Sequence, residues 1–258
     1  MKKYSSYLGT ISSNLISIWG SICGIFEYQI IANLVGAWVT LNGEKVVSHG
    51  VVLNVNNNQI TNSVKYHLFS QKYEVQEFNL IQKYFQPNID VVEFGGGIGF
   101  ISCIIGKKIN PLNKHIVVEP NPFLLRLLNS NKLLNNCNFK IISYAYSSHT
   151  SNVLLGIGGP FESGHITTAS KNTVEVPSIN LKEMVKKYDL NQFFLVADVE
   201  GKEFDLIKKE FQILSSHCPM VLIEFHDQFG SMESMIDIFI HGGYSCEMQE
   251  NTCLFIRK

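Results

Sequence analysis

A short apolar strand that leads directly into a cluster of glycines constrains this chain more than any other feature. Residues 91–94 read Val-Val-Glu-Phe, and Phe100–Lys107 is a helical stretch. The glycines between them are Gly95, Gly96, Gly97 and Gly99. A Cβ at Gly95 or Gly97 would collide with a ligand, whereas Gly99 permits close packing of helix on strand. The segment predicts a strand, a ligand-binding turn and a helix; a plain structural turn is the alternative.

Beyond this loop, predicted strands alternate with predicted helices. The strands are expected at His115–Glu119, Phe139–Tyr144, Asn152–Leu155, Thr173–Val176, Phe193–Ala197 and Met220–Phe225. The helices are expected at Pro122–Leu134, Leu181–Tyr188, Lys202–Leu214 and from Ser231 to Gly242. Such alternation indicates a parallel sheet. Two last segments, Tyr244–Gln249 and Thr252–Ile256, predict a hairpin, so we expect an α/β fold whose Rossmann-like sheet is mostly parallel with a C-terminal antiparallel hairpin.

The sequence before the glycine loop predicts two parts, an N-terminal extension over residues 1–70 and a main domain over residues 71–258. The extension reads as a helical lead-in followed by a short hairpin that includes Gly50–Val55. Thr61 is expected to cap a short helix through His67, and Glu74–Phe85 predicts the first helix of the main domain.

The first residues have a composition of their own. Tyr4–Phe26 contains no charged residue and follows Lys2-Lys3, but it contains many serines. The favoured interpretation is a weakly amphipathic helix that packs on the domain or on a second subunit of a homo-oligomer. Contact with a membrane is the less favoured alternative. No cleavage pattern of a secretory signal follows, so the expected location is cytoplasmic.

Charge and cysteine content exclude several classes of protein. The formal net charge is −1, and lysines and arginines are scattered, so nucleic acid is not an expected partner. The six cysteines form no C-x-x-C pair. They are therefore interpreted as reduced thiols, without a zinc site.

A carboxylate at the end of the next strand gives the glycine loop a chemical meaning. Glu119 lies about twenty residues beyond the glycines, where it can accept hydrogen bonds from both ribose hydroxyls of a nucleoside. The spacing E-x-G-x-G-x-G differs from the G-x-G-x-x-G that holds a pyrophosphate. An acidic Glu93 at the first position suits the cationic S-adenosylmethionine better, so the sequence predicts this cofactor.

Four short segments then resemble the FkbM family of methyltransferases, over roughly residues 71–227. Their sequences correspond to the family's Y-E, D-V-G-A-N-x-G, E-P-N-P and D-V-E-G motifs, and they are Tyr73-Glu74, Glu93–Gly99, Glu119–Pro122 and Asp198–Gly201. A further segment, Val176–Leu181, resembles the family's V-x-x-L-D before a helix. The departures are Glu93 for Asp, Gly96-Gly97 for Ala-Asn and, in that further segment, Asn180 for an acidic residue. The resemblance implies a class I methyltransferase sheet and methyl transfer to an oxygen of a sugar, glycan or hydroxylated natural product.

The predicted site lies at the carboxyl ends of the strands, where strand order reverses. The predicted cofactor-binding residues are Glu93, Phe94, Gly95, Gly96, Gly97, Gly99, Glu119, Pro120, Asn121, Tyr144, Ala145 and Asp198. Asp198 is the first candidate for the base that removes the acceptor's proton. His226 is the second, and Glu224 points to the same face because it lies two residues away on a strand.

Several alternatives stay open at this point. Asp198, Glu224 and His226 could instead hold a divalent cation, although no metal is the primary expectation. Glu200 has a second interpretation as a favourable charge at a helix N-terminus, and His165 as part of a lid. The competing functions are an NAD(P)-dependent oxidoreductase and a non-catalytic binding module that keeps the fold.

Overall fold

Strands and helices alternate along residues 27–149, 152–157 and 173–258, the part of the chain that the computed structural model describes. The strands are β1 Lys45–Ser48, β2 Val51–Asn54, β3 Asp90–Phe94, β4 His115–Val118, β5 Lys140–Ile142, β6 Ala145–Tyr146, β7 Val153–Gly156, β8 Thr173–Val176, β9 Ser178–Ile179, β10 Phe193–Ala197, β11 Met220–Glu224, β12 Tyr244–Gln249 and β13 Thr252–Arg257. The helices are α1 27–41, α2 Asn62–Phe69, α3 Val75–Tyr84, α4 Phe100–Gly106, α5 Pro122–Leu134, α6 Leu181–Tyr188, α7 Glu203–His217 and α8 Met232–His241.

Seven strands form the central sheet in the order β12-β13-β11-β10-β3-β4-β5. The strand β13 is antiparallel to both of its neighbours, and the other pairings are parallel. The chain runs outward from β3 through β4 to β5, and later outward in the other direction from β10. The sheet therefore reverses its order between β3 and β10, which confirms the predicted Rossmann-like class I methyltransferase sheet with its closing hairpin.

Both faces of the sheet are buried, because successive residues of a strand point to opposite sides. In β3, Val91 packs with α2, α4 and α5, whereas Val92 packs with α6, α7 and α8. In β10, Val196 lies on the same side of the sheet as Val91, and Leu195 on the same side as Val92. The β strands are accordingly apolar on both faces, as in other parallel sheets covered by helices.

The N-terminal extension packs on the same core. Its hairpin pairs β1 with β2, and apolar residues of both strands join the cluster formed by α4, α5 and one face of the sheet. The side chain of Thr61 accepts a hydrogen bond from Val64 N and caps α2, as predicted. The division at residue 70 stays a prediction, since contacts cross it. Among the described residues, no helix combines the length and hydropathy needed to cross a bilayer.

Caps explain which boundaries the sequence predicted well. Asn121 and Pro122 start α5, and Asn180 forms a capping box with Glu183 at α6, so both helices have the predicted bounds. The two-residue parallel pair of β6 and β9 was missed, because a pair this short has no periodicity. Gly242 ends α8 with a φ of −78° rather than in a left-handed conformation, which Gly243 adopts instead.

Candidate active site

A cavity of about 350 Å³ opens at the carboxyl ends of β3, β4, β10 and β11. Its volume lies within the range of about 300–1,000 Å³ that is typical of small-molecule sites. The wall on one side is the segment that joins α2 to α3. The cavity is therefore at the reversal of strand order, where ligands of open α/β sheets bind.

Three glycines of the loop after β3 have left-handed backbone angles, with φ of 93° at Gly95, 50° at Gly97 and 86° at Gly99. A Cβ on Gly95 would lie 1.9 Å from the carbonyl oxygen of Asp198. A Cβ on Gly99 would lie 2.6 Å from Leu128 Cδ1. Glycine is therefore needed at position 95 because the end of β10 lies against it. At position 99 glycine allows close packing of α5, not of a strand as predicted.

Of the loop glycines, Gly95 and Gly97 line the cavity, whereas Gly96 and Gly99 do not. A Cβ on Gly96 would lie 2.4 Å from Val117 Cγ1, because this residue faces the core. The prediction that all four glycines border the ligand is corrected to these two.

Glu119 lies at the end of β4, and its side chain is buried against the loop. Its Oε2 accepts a hydrogen bond from Gly97 N and its Oε1 from Asn121 N, each at 2.7 Å. Burial raises the pKa of this carboxyl to about 7, although the two hydrogen bonds from backbone N–H groups act in the opposite direction. Each oxygen keeps a second lone pair, so the carboxylate holds the loop and can still accept from a ligand.

Glu93 does not line the cavity, which corrects its predicted role in cofactor binding. It points into the core, where its Oε1 accepts from Ser102 Oγ at 2.7 Å and its Oε2 from His115 Nε2 at 3.3 Å. The pleat of β3 explains the direction, because Glu93 lies between Val92 and Phe94, which face the other side of the sheet.

His226, which follows β11, is surrounded by carboxylates. Its Nδ1 donates to Glu203 Oε1 at 3.1 Å, and its Nε2 lies 3.3 Å from Glu200 Oε2 and 3.8 Å from Asp198 Oδ1. Burial of the ring opposes protonation, but the bond to Glu203 and the charges of Glu203, Glu200 and Glu224 raise the pKa to about 9. At neutral pH the ring is therefore a cation.

Glu203, the first residue of α7, is a site residue that the sequence did not indicate. Its side chain is fully buried, and the Oε1 that faces His226 also accepts from Val199 N and Gly201 N, both at 3.1 Å. Glu200 itself lies before the helix in a left-handed conformation and borders the cavity. The favourable negative charge at the N-terminus of α7 is therefore that of Glu203, not of Glu200 as predicted.

Asp198 ends β10, and its backbone N donates to Phe94 O at 2.9 Å, which ties the ends of β10 and β3 together. Within the described chain, its buried Oδ1 has no hydrogen-bond partner. Burial, followed by the charges of Glu224, Glu200 and Glu74, raises the pKa of this carboxyl well above its usual range. A carboxylate with a raised pKa holds an accepted proton more strongly than an ordinary one.

The wall from α3 adds two carboxyls that the sequence did not assign to the site. Burial and the charge of Glu77 raise the pKa of Glu74 well above its usual range. Burial and the charge of Glu224 raise the pKa of Glu77 to about 7, although Thr252 Oγ1 donates to it at 2.6 Å. The motif Tyr73-Glu74 could have indicated Glu74 from the sequence. Glu77 could not have been found in this way, because its contact with Thr252 joins distant parts of the chain.

Most of the residues that the sequence predicted for the site line the cavity. Those that line the cavity are Phe94, Pro120, Asn121, Tyr144, Ala145, Glu224 and His226, together with Gly95, Gly97, Glu119 and Asp198. His165 lies outside the described residues. Asp198, Glu224 and His226 each offer one ligand atom, and these atoms lie within 4.8 Å of one another, so within the described chain they could hold a metal ion.

The strand order, the left-handed glycine loop and the buried carboxylate at the end of β4 are together the features expected of a class I methyltransferase. Residues 84–246 match the family described as the methyltransferase FkbM domain, and the chain belongs to this family. Its cofactor is S-adenosylmethionine. No curated protein matches the chain.

Solved structures of similar fold have low sequence identity. Precorrin-6y C5,15-methyltransferase from Geobacter metallireducens is 13% identical, with 72% of this chain and 89% of that chain covered at a TM-score of 0.43. A methyltransferase from Pyrococcus furiosus is 14% identical, with coverages of 70% and 81% and a TM-score of 0.40. Aeropyrum pernix fibrillarin with bound S-adenosyl-L-methionine is 12% identical, with coverages of 68% and 70% and a TM-score of 0.39. The family assignment rests on the family match alone.

The donor set of the cavity fits a cationic nucleoside. Its described lining has one lysine, Lys72, and the carboxyl groups of Glu74, Glu77, Glu119, Asp198, Glu200 and Glu224. This excess of acidic groups suits a sulfonium and an ammonium and opposes a pyrophosphate. Glu119 and the backbone at Gly95 and Gly97 would hold the nucleoside end.

Proposed function

We propose that this protein transfers a methyl group from S-adenosylmethionine to a hydroxyl of a sugar, glycan or hydroxylated natural product. The observation that carries the proposal is Asp198, whose carboxyl has a raised pKa and one oxygen without a hydrogen-bond partner in the described chain, at the strand end beside the glycine loop. A hydroxyl must lose its proton as it is methylated, and a carboxylate within reach supplies the base.

The bound cofactor supplies an electrophilic methyl group on a positively charged sulfur. The protein positions the acceptor and receives its proton. Asp198 is proposed as the proton acceptor, because its raised pKa favours the protonated product of that step. His226 is protonated below about pH 9 and is therefore unsuited to accept a proton there. We assign it instead to holding Asp198 and Glu200 in place through its charge.

The carboxyl groups that line the cavity support a polyhydroxylated acceptor. Glu74, Glu77 and Glu224 place several hydrogen-bond acceptors along the cavity. Hydroxyl groups of a sugar can donate hydrogen bonds to the oxygens of such carboxyl groups. The described lining contains one lysine, so a phosphorylated acceptor is disfavoured.

The test combines an acceptor screen with two variants. Methyl transfer from labelled S-adenosylmethionine to a panel of sugars and hydroxylated natural products is expected to give an ether product. Asp198→Asn should lower kcat about 10²–10⁴-fold and change cofactor affinity little. The matched control is Asp205→Asn, which removes a partly exposed carboxylate of α7 that pairs with Lys209. Equal kcat in both variants would remove Asp198 from the reaction.

Two further measurements separate the alternatives. A titration with NAD beside S-adenosylmethionine would expose an oxidoreductase if NAD bound more tightly. Loss of activity on chelation, with recovery on adding a divalent cation, would replace the carboxylate base with a metal at Asp198, Glu224 and His226.

A further inference from the structure

The carboxyl group of Glu203 is buried more deeply than its contacts with the backbone require. Its side chain is fully buried, and its Oε2 has no hydrogen-bond partner in the described chain. A buried charge that is incompletely paired destabilises a fold. The Oε1 accepts from Val199 N and Gly201 N, which the oxygen of an uncharged glutamine could also do. The charge of Glu203 therefore indicates a second role besides holding this turn.

The partner of this charge is the imidazole ring of His226. Oε1 of Glu203 also accepts from Nδ1 of the ring at 3.1 Å, so the ring cannot rotate without losing this bond. The opposite nitrogen, Nε2, lies 3.3 Å from Glu200 Oε2 and 3.8 Å from Asp198 Oδ1. The buried carboxylate thus lies behind the ring and directs Nε2 toward two carboxyl groups of the cavity.

The same oxygen holds the turn that carries these two carboxyl groups. The backbone N of Asp198 donates to Phe94 O at 2.9 Å, and that of the next residue, Val199, donates to Glu203 Oε1. Glu200, in the same turn, has a left-handed φ of 49°. Such a conformation in a residue other than glycine persists only where its surroundings hold it. Glu203 is therefore joined both to the ring and to the backbone that the ring faces.

We propose that Glu203 is a positioning residue for methyl transfer, which acts through His226 by holding its Nε2 toward Asp198 and Glu200. The inference rests on the proposed function, in which Asp198 receives the acceptor's proton. Glu203 itself does not line the cavity. A displacement of about 1 Å near the reacting groups can lower a rate about 10²-fold. The loss of this support should therefore appear in kcat rather than in cofactor binding.

A matched pair of variants, Glu203→Gln and Glu210→Gln, tests the proposal. Glu210 is also a buried carboxyl group of α7, and it accepts from the backbone N of Leu181 and Lys182 and from Tyr146 Oη. Glutamine can still accept such bonds but lacks the charge. Glu203→Gln should lower kcat on the order of 10²-fold, with little change in affinity for S-adenosylmethionine. Glu210→Gln should leave kcat near that of the wild type.

A double-mutant cycle separates positioning from a purely structural role. If Glu203 acts through His226, Glu203→Gln should lower kcat much less in a His226→Gln background than in the wild type. A residue that only holds the turn would lower kcat by the same factor in both backgrounds, and this outcome would overturn the proposal. An equal loss of kcat in Glu203→Gln and Glu210→Gln would also overturn it.

Proton NMR of the full chain provides a measurement that does not depend on the reaction. The Nδ1–H of His226 should give a low-field signal, identified by its loss in His226→Gln, because it donates to a buried carboxylate. This signal should move to higher field in Glu203→Gln, where the acceptor is neutral, and stay in place in Glu210→Gln.

The NMR signal also distinguishes failure of this proposal from failure of the proposed function. A signal that is absent from the wild type, or that does not move in Glu203→Gln, would show that Glu203 does not hold the ring, and the proposal fails. If the signal behaves as expected but no hydroxylated acceptor is methylated, the proposed function fails, while the holding of His226 by Glu203 is supported.

Discussion

At the scale of single residues, charge balance dominates the site. Four carboxyl groups lie near the imidazole ring of His226, and they belong to Asp198, Glu200, Glu203 and Glu224. Four carboxylates around one imidazole cannot all be ionised without a large electrostatic cost. Protonation of His226 and the raised pKa of Asp198 both relieve this repulsion. The bound cofactor, which is a cation, relieves it further, so the acidic cluster should favour cofactor binding.

Glu119 tests the nucleoside end of the cavity. Glu119→Ala removes the charged acceptor and releases Gly97 N and Asn121 N. The affinity for S-adenosylmethionine should fall by roughly 1.5–3 kcal/mol, the range for hydrogen bonds to charged groups. Titration calorimetry measures this affinity, with Glu175→Ala, at an exposed position of β8, as the control. Unchanged affinity in a folded Glu119→Ala protein would move the ribose site elsewhere.

His226 makes a prediction about pH. Its pKa is about 9 in the folded protein and ordinarily 6.5, so the bound proton stabilises the fold fully below pH 6.5. This stabilisation, up to about 3 kcal/mol, is lost as pH rises through 9. In urea unfolding, the difference in stability between wild type and His226→Gln should therefore shrink between pH 7 and pH 10. A difference independent of pH over this range would show that the neighbouring carboxylates do not raise the pKa of the His226 ring.

At the scale of elements, the glycine loop separates conformational strain from steric collision. Gly43 and Gly95 have similar φ values of 87° and 93°, but a Cβ on Gly43 meets nothing within 4 Å. Gly43→Ala should cost about 1–2 kcal/mol from the left-handed conformation alone. Gly95→Ala should cost more, because its Cβ would collide with Asp198 O, and should also lower cofactor affinity. Denaturant unfolding and calorimetry of both variants measure this. Equal costs would mean that the loop moves aside freely.

The elements that the sequence predicted and those that it missed differ in the range of their interactions. The strand β10 and helices α5 and α6 follow from apolar runs and caps within a few residues. The location of the cavity was predicted because Asp198 and Glu119 occupy strand ends. Glu203 and Glu77 were missed, since their roles depend on partners that only the tertiary fold brings near, His226 and Thr252. Glu93 was misassigned because the pleat of β3, rather than its motif, decides where it points.

At the scale of the whole molecule, a buried amide in α5 and a second one at the C-cap of this helix attach the N-terminal extension to the sheet domain. Asn131 accepts from Asn54 N at 2.7 Å and donates to Asn54 O and Ile98 O. Asn135 forms the equivalent pair of bonds with Val52 N and O. These side chains satisfy the outer edge of β2 as another strand would. The extension and the domain are therefore joined by hydrogen bonds from side chain to backbone as well as by a shared core.

This arrangement predicts that the extension and the domain unfold together. Asn131→Ala leaves Asn54 N and two carbonyls without partners, at about 1–3 kcal/mol for each buried group. The expected result is a single urea transition, monitored by both circular dichroism and Trp38 fluorescence in a Trp19→Phe background, that shifts to lower urea. Asn129→Ala, on the exposed side of the same helix, should shift it by less than about 0.5 kcal/mol. An earlier, separate transition seen by Trp38 would instead show that the extension is an independent unit, because α1 would then lose its structure while the sheet stays folded.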